Sequence, residues 1–415
     1  MKTSRVSKFY EKTLEERQQV LKEFAELTDE EISELNKFGA LDFETADRMI
    51  ENVYSTFSLP MGIATNFEIN KKPYLVPFAT EEPSVVAAAS NAAKLSTGFD
   101  AKATEPIMIG QIQIVGVKNT KEAIEKIMAN EKELLEIANS GDSILIKFGG
   151  GARRIEAMEF ETSRNKTVVL HLLVDVRDAM GANAVNTMCE RISQKIIELT
   201  GGEIRLRIIS NLAIHRTVKS KTVWKKEILG EEVIEKILDA YEFAANNIYR
   251  ACTHNKGIMN GIDAVVIATG NDSRAVEAGA HTFAGKDGSY KPLTKYYKNA
   301  EGNLVGEIEL PMAVGLVGGA TKTHPIARIN VKLLGVKTAN ELAEVIASVG
   351  LAQNFAAMRA LATEGIQKGH MRLHSKNIAV MAGAEGKAIE EIAKQMADEG
   401  KISVTRAKEI LEGKK

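Results

Sequence analysis

The chain has 415 residues, 44% of them hydrophobic, enough for a sizeable core and for more than one folded unit. Its 54 basic and 55 acidic residues leave a formal charge of -1, so no bulk attraction draws it to nucleic acid or an anionic membrane, and neither is expected as a partner. Two cysteines, Cys189 and Cys252, cannot build a disulfide framework or a four-thiolate metal site; with no apolar signal-peptide core at the N-terminus and no apolar run of about 18 residues, a cytoplasmic protein without a membrane span is expected.

In chain order, Thr13-Leu14-Glu15-Glu16 and Thr28-Asp29-Glu30-Glu31 set a hydroxyl three residues before a glutamate, and this capping-box pattern predicts two short amphipathic helices. Ile63–Phe78 reads as two strands around a polar turn at Asn70–Lys72. Pro83 predicts the first residue of a helix through SVVAAASNAAKL, which places Glu82 at the N-cap. A carboxylate there is held ionised by the helix dipole; if Glu82 is instead an acid, burial or bound substrate must raise its pKa.

From Ile107 to Ser210 the pattern changes. IMIGQIQIVGV reads as a strand, residues 120–139 as a helix, SILIKF with IEAMEFE as an interrupted strand, TVVLHLLVDV as a strand, AMGANAVNTMCERISQKIIELT as a helix and EIRLRIIS as a closing strand. That order, βαββαβ, is ferredoxin-like and not a doubly wound dinucleotide fold. Neither Gly149-Gly150-Gly151 nor GLVGGATKTH near Gly318 has the spacing of a glycine-rich phosphate loop. The turn Asp178-Ala179-Met180-Gly181-Ala182-Asn183, after a strand and opening a helix, offers backbone N–H groups where a pyrophosphate can approach; an Asp-capped helix start is the plainer reading.

Beyond Ser210, VIEKILDAYEFAANNIYRA predicts a helix that delivers Arg250 to the edge of the stretch Thr253–His281. There Lys256 and Asp272 stand among small residues suited to tight burial. A buried ammonium is costly unless a carboxylate faces it, so a Lys–Asp pair is expected, either aiming the lysine at an oxygen that becomes negative or serving as a structural ion pair. A hairpin around Asn299–Asn303 follows, then two helical segments, ANELAEVIASVGLA and NFAAMRALATEGIQ. In Gly369–His374, two histidines four apart lack the glutamate of H-E-x-x-H and have no nearby cysteine. One histidine as proton donor is expected there, and no metal. The tail reads as two charged amphipathic helices behind a glycine-containing joint.

The segments ENVYSTFSLP, EEPSVVAAAS, DVRDAMGANAVNTM, RIISNLA, YRACTHNKGIMNGIDAVVIATGNDSRAVEAGAH, GLVGGATKTHP and GHMRLHSKNIAV resemble, in the same order, the class II 3-hydroxy-3-methylglutaryl-coenzyme A (HMG-CoA) reductases. The resemblance covers essentially the whole chain. It implies an α+β fold: a large, mostly helical domain (1–107 and 215–365), an inserted ferredoxin-like βαββαβ small domain (108–214) and a C-terminal helical flap (366–415). It also implies a homodimer, or an assembly of dimers, with each active site at the subunit interface.

By the same resemblance Glu82, Lys256, Asp272 and His370 match the catalytic residues. Ser84, Arg250, Asn260 and Asn211 match substrate-holding or network positions. Asp178, Ala179, Met180, Gly181, Ala182 and Asn183 match the nicotinamide-cofactor loop, and Asp142 a position facing the adenosine ribose. Tyr54 and Ser55 depart from the family's ENVIG-type segment near the interface. The implied reaction is reduction of HMG-CoA to mevalonate and coenzyme A by two NAD(P)H, through a hemithioacetal and mevaldehyde, without a metal. NAD(H) is expected ahead of NADP(H), because the Asp142 carboxylate repels a 2′-phosphate, although Arg153 and Arg154 can reverse that preference. Reduction of another acyl-coenzyme A thioester is the alternative, and a non-catalytic binding protein on the same fold the more distant one.

Overall fold

A computed structural model describes residues 2–39, 41–141, 144–363 and 375–413. The chain begins with helices α1 (Leu14–Ala25) and α2 (Asp29–Leu35), both closed by the predicted capping boxes: Thr13 and Thr28 accept from the N–H groups of Glu16 and Glu31, whose carboxylates take the cap N–H groups in return. A short α3 (Phe43–Asp47) is capped by Asp42. Residues 51–60 then run without helix or strand, leaving Tyr54 98% and Phe57 91% exposed.

Strands β1 (Met61–Ile69) and β2 (Lys72–Ala79) form the predicted hairpin, with Asn70 and Lys71 both at positive φ, as a two-residue turn between twisted strands requires. Helix α4 (Val85–Leu95) begins later than the sequence predicts. Its N-cap is Ser84, whose left-handed backbone at φ 77 interrupts the helical run, so Pro83 and Glu82 lie in the bend before the helix and Glu82 is not the cap. Strand β3 (Ser96–Ala103), which the sequence did not predict, leads into the second unit.

That unit consists of β4 (Ile107–Val115), α5 (Thr120–Ala129), α6 (Glu131–Ala138), α7 (Ile144–Lys147), β5 (Gly151–Glu161), β6 (Lys166–Asp175), α8 (Ala182–Thr200) and β7 (Glu203–Ser210). Its sheet has the order β5-β6-β4-β7 with every neighbouring pair antiparallel, the ferredoxin-like topology. Two local expectations fail. The single helix over 120–139 breaks at Asn130, and Ile144–Lys147 is a helical turn rather than part of a strand, because an apolar run of three residues carries no period that separates a strand from a buried helix.

The chain returns through β8 (Thr217–Trp224), α9 (Lys226–Leu229), α10 (Glu231–Asn246), α11 (Ile248–Ala268), α12 (Ser273–Ala284), the predicted hairpin β9 (Thr294–Lys298) and β10 (Leu304–Pro311), α13 (Gly319–Thr323), α14 (Pro325–Leu334) and α15 (Ala339–Ala362). The helix expected to carry Arg250 as one piece splits at Asn247, whose side chain accepts the Arg250 N–H at 3.0 Å and caps a new helix. The two segments expected between Ala339 and Gln367 are instead one helix as far as Ala362, apolar along its length because it lies in the core. A six-stranded sheet, β2-β1-β3-β8-β10-β9, packs against it. Trp224 of β8 stacks on Phe355 of α15 with centroids 3.8 Å apart and donates its ring N–H to the Ala92 carbonyl. Helices α16 (375–381), α17 (Lys387–Glu399) and α18 (Val404–Glu412) form a separate small core around Ile392, Met396 and Ile410.

Candidate active site

Helix α11 buries one side in the core, from Ala251 and His254 to Val265 and Ala268, and turns a polar face outward. Arg250, Thr253, Gly257 and Asn260 stand at i, i+3, i+7 and i+10, so they share that face, and Lys256 borders it one turn before Asn260. A Cβ added at Gly257 would meet nothing within 4 Å, so the glycine leaves a notch among these side chains. Glu82 reaches the same place from the bend before α4: its Oε2 accepts from Lys256 Nζ at 3.1 Å and from Asn260 Nδ2 at 3.3 Å. The bend is tied to the β1–β2 hairpin, since Thr80 donates its N–H to Pro60 and accepts that of Glu82.

Two groups beside this cluster have no oxygen or charged partner among the described residues. Arg250 is half-buried and its guanidinium touches only the Met358 sulfur, at 3.6 Å; burial lowers its pKa and no carboxylate faces it. Ser84 Oγ is buried without a hydrogen bond. An unpaired cation and an unsatisfied hydroxyl near a notch are what a carboxylate-bearing ligand satisfies. His254, one turn from Arg250, is packing: burial and the nearby arginine push its pKa down to about 3, leaving a neutral ring bonded to Thr294.

The expected burial of Lys256 and its pairing with Asp272 are not found within one chain. The Lys256 side chain is 62% exposed and its ion pair is with Glu82. Asp272 caps α12 by accepting the Ala275 N–H and lies 3.5 Å from the Arg274 guanidinium. The reason is the straight run of α11: from Lys256 to Ala268 the helix rises about 18 Å, and Asp272 comes after its end.

Asp272 belongs instead to a braced group of loops. Asn271 beside it accepts the Gly315 N–H at 2.7 Å, and Gly315 lies so close to the turn at Asp178–Met180 that a Cβ there would be 2.5 Å from the Met180 nitrogen. The Asp178 carbonyl accepts from Leu316 at 2.8 Å, and its carboxylate accepts the Ala339 N–H at 2.7 Å, at the start of α15. Gly181, at φ 104, forms the N-cap of α8, and a Cβ would come within 2.5 Å of Val176, so the turn admits only glycine. No side chain caps α8, and the N–H groups of Gly181, Ala182 and Asn183 have no acceptor among the described residues. A helix start with free donors and no side chain at its tip fits the pyrophosphate of a dinucleotide.

Beneath this turn lies Arg216, which the sequence analysis missed and for which no local pattern gives a signal. It is 3% exposed and donates to the carbonyls of Ala179 and Met180, each at 3.1 Å, and of Val314 at 2.5 Å. Asn211 lies on this side too, its carbonyl packed against Gly279 of α12. Arg153 and Arg177 both pair with Asp175 at 3.2 Å, and Arg154 pairs with Glu156. Asp142 and His370 lie outside the described residues.

Residues 13–375 match the family model described as hydroxymethylglutaryl-coenzyme A reductase. The chain is 55% identical over 414 residues to the 3-hydroxy-3-methylglutaryl-coenzyme A reductase of Archaeoglobus fulgidus, covering 99% of this chain and 94% of that one. It is 38% identical to the probable 3-hydroxy-3-methylglutaryl-coenzyme A reductase of Borreliella burgdorferi over 89% of this chain and 85% of the relative. Its fold superimposes on a 3-hydroxy-3-methylglutaryl-coenzyme A reductase from Streptococcus pneumoniae with a TM-score of 0.84, at 40% identity and 99% coverage of both chains. A structure of the class II enzyme from the same organism, bound to NADPH in open conformations, matches with a TM-score of 0.83 at 43% identity, covering 86% of this chain and 99% of that one.

Proposed function

The chain belongs to the hydroxymethylglutaryl-coenzyme A reductase family, oxidoreductases that reduce HMG-CoA to mevalonate, and from that premise we propose how its residues divide the reaction. The observation that carries the reading is the cluster of Lys256, Glu82 and Asn260 beside the notch at Gly257, with Arg250 unpaired next to it. The carboxylate of HMG-CoA takes Arg250 and Ser84, and its thioester carbonyl lies under Lys256. Two NAD(P)H molecules bound in succession would supply one hydride each, and the turn from Asp178 to Asn183 is the part of this chain that would hold them. An oxyanion forms twice at one carbon, and the Lys256 ammonium stabilises it each time. Glu82, hydrogen-bonded to that ammonium, supplies or relays the proton as mevaldehyde forms and is consumed. His370 protonates the departing coenzyme A thiolate, since an imidazolium is the side-chain donor suited to neutral pH. His370→Gln should therefore damage reduction of the thioester far more than that of free mevaldehyde; equal losses would give the histidine another role.

The separation of Lys256 from Asp272 along α11 supports a complete site built from two chains. Glu82, Lys256, Asn260, Ser84 and Arg250 form one half, and Asp272, braced to the cofactor turn, belongs to the other. In a homodimer Asp272 of one subunit faces Lys256 of the next, which restores the pair that keeps the lysine charged. The arm that runs past Tyr54 and Phe57 supports this assembly: it exposes those two aromatic rings and is joined through Pro60 and Thr80 to the bend that bears Glu82. Boundaries at 107/108 and 214/215 are supported by a core that runs from Met108 to Ala213 and takes in Ala313, whereas the expected boundary at 365/366 lies outside the described residues.

Mixed dimers test the assignment. Lys256→Ala co-expressed with Asp272→Ala should leave one of the two sites intact and recover activity, as should Glu82→Ala with Asp272→Ala. Lys256→Ala with Glu82→Ala should recover none, because both residues lie in the same half. Recovery in that third pair, or its absence in the first two with tagged mixed dimers in hand, overturns the division. The commitment of Arg153, Arg154 and Arg177 to carboxylates leaves no free guanidinium among these three for a 2′-phosphate, which favours NADH; a markedly higher kcat/KM with NADPH would reverse that preference.

A further inference from the structure

Arg216 is a buried cation with no carboxylate in contact. Its three partners are neutral carbonyl oxygens, and the nearest carboxylates, Asp178 and Asp175, are engaged elsewhere, by the Ala339 N–H and by Arg153 with Arg177. Burial pulls its pKa down to about 10, so it stays charged at neutral pH. Methionine would fill much of the same volume without the cost of desolvating a charge, so stability alone does not account for an arginine here.

Its geometry does account for it. The guanidinium takes the carbonyls of two consecutive peptides, Ala179–Met180 and Met180–Gly181. Both peptides are trans, so each N–H points away from the arginine. The Gly181 N–H is thereby turned outward with those of Ala182 and Asn183 at the start of α8. The third bond, to Val314, fastens the turn to the segment that Asn271 holds at Gly315.

We propose that Arg216 is the positioning residue of the cofactor turn: it sets the peptide planes of residues 179–181 and places a fixed positive charge behind N–H groups that face the dinucleotide pyrophosphate. Asn271 acts in the same sense through Gly315, so the loop that carries Asp272 and the turn that holds the cofactor move as one body. This rests on reading Asp178–Asn183 as the cofactor turn.

The test is calorimetric titration of the full-length protein with NADH, with NADPH and with HMG-CoA. Arg216→Met should weaken cofactor binding by about tenfold or more, the scale of a lost charge-assisted contact, and change HMG-CoA affinity by less than about twofold. In steady state the cofactor KM should rise far more than kcat falls. Asn271→Ala should show a smaller loss in the same direction, and methylguanidinium should restore cofactor binding to Arg216→Ala. If Arg216→Met does not fold, Arg216→Lys decides, because a lysine keeps the charge but cannot span three carbonyls: unchanged cofactor affinity overturns the proposal. So does a folded Arg216→Met that binds cofactor as the wild type does. Gly181→Val separates the two levels of the argument. If it leaves cofactor affinity intact, the cofactor-turn reading fails; if it abolishes binding while the Arg216 variants bind normally, only the role of Arg216 fails.

Discussion

The two ends of α11 are built differently. At its N-terminal end, Arg250, Lys256 and Asn260 border an open notch, half-exposed and held by little besides Glu82. Past its C-terminal end, Asp272 lies in a group of loops cross-braced by Asn271, Gly315, Asp178 and a buried Arg216. One half keeps a guanidinium without a carboxylate and a hydroxyl without a hydrogen bond, whereas the other has the carbonyl groups of its turn committed and its free N–H groups gathered at the start of α8. On the proposed division, the first half is completed by substrate and by a second subunit, and the cross-bracing of the second suits a site that must aim a hydride.

The comparison is broken most severely at Lys256. Lys256→Ala should lower turnover by at least about a hundredfold, the scale of one lost oxyanion donor, with the melting temperature unchanged because the side chain is largely exposed. Near-normal turnover would remove the substrate half altogether.

The same small substitution should act in opposite directions in the two halves. Gly315→Ala drives a methyl toward the Met180 nitrogen and should destabilise the protein by about 1–3 kcal/mol, the cost of overpacking, while weakening cofactor binding. Gly257→Ala places a methyl in the notch, where it touches no protein atom and replaces a glycine inside a helix; it should stabilise the fold by up to about 1 kcal/mol while raising the KM for HMG-CoA. Chemical denaturation and steady-state kinetics on the two variants check both signs. A stabilised Gly315→Ala, or a Gly257→Ala with unaltered KM, would mean that the halves do not differ in this way.

What the sequence revealed of these halves follows from the range of the interactions involved. The capping boxes at Thr13 and Thr28, both hairpins and the βαββαβ order are local patterns, and they appear where the residues predict them. Glu82 was misplaced by two residues because the left-handed conformation of Ser84 is not encoded by any residue preference of serine. The Lys256–Asp272 pair was expected from the small residues around both and from the resemblance, and the straight run of α11 from Lys256 to Ala268 separates the two in space. Arg216 left no trace in the sequence because all three of its partners are backbone carbonyls, which any residue supplies.

The smallest expected effect concerns the joint between the halves. Asp263 of α11 and Glu277 of α12 face each other, and burial first, then the hydrogen bond and charge of Glu277, raise the Asp263 carboxyl to a pKa of about 8. Glu277 is held ionised chiefly by His281, whose Nε2 lies 2.6 Å away and whose Nδ1 meets the Tyr290 hydroxyl. At neutral pH Asp263 therefore keeps the proton and donates it to Glu277, tying the helix that bears Lys256 to the one that Asp272 caps. A carboxyl whose folded pKa lies above its unfolded value stabilises the fold fully at low pH and loses that contribution as pH rises toward the folded pKa. The lowered pKa of Glu277 acts only in the acid range, so of this pair it is Asp263 that contributes a decline between about pH 5 and pH 8. Asp263→Asn cannot ionise, and its amide still donates to Glu277. Across that window its melting temperature should fall less steeply with pH than the wild type's, with the two curves closest at the acid end. Parallel curves would show that Asp263 is already ionised in the folded protein and that the two helices are joined by packing alone.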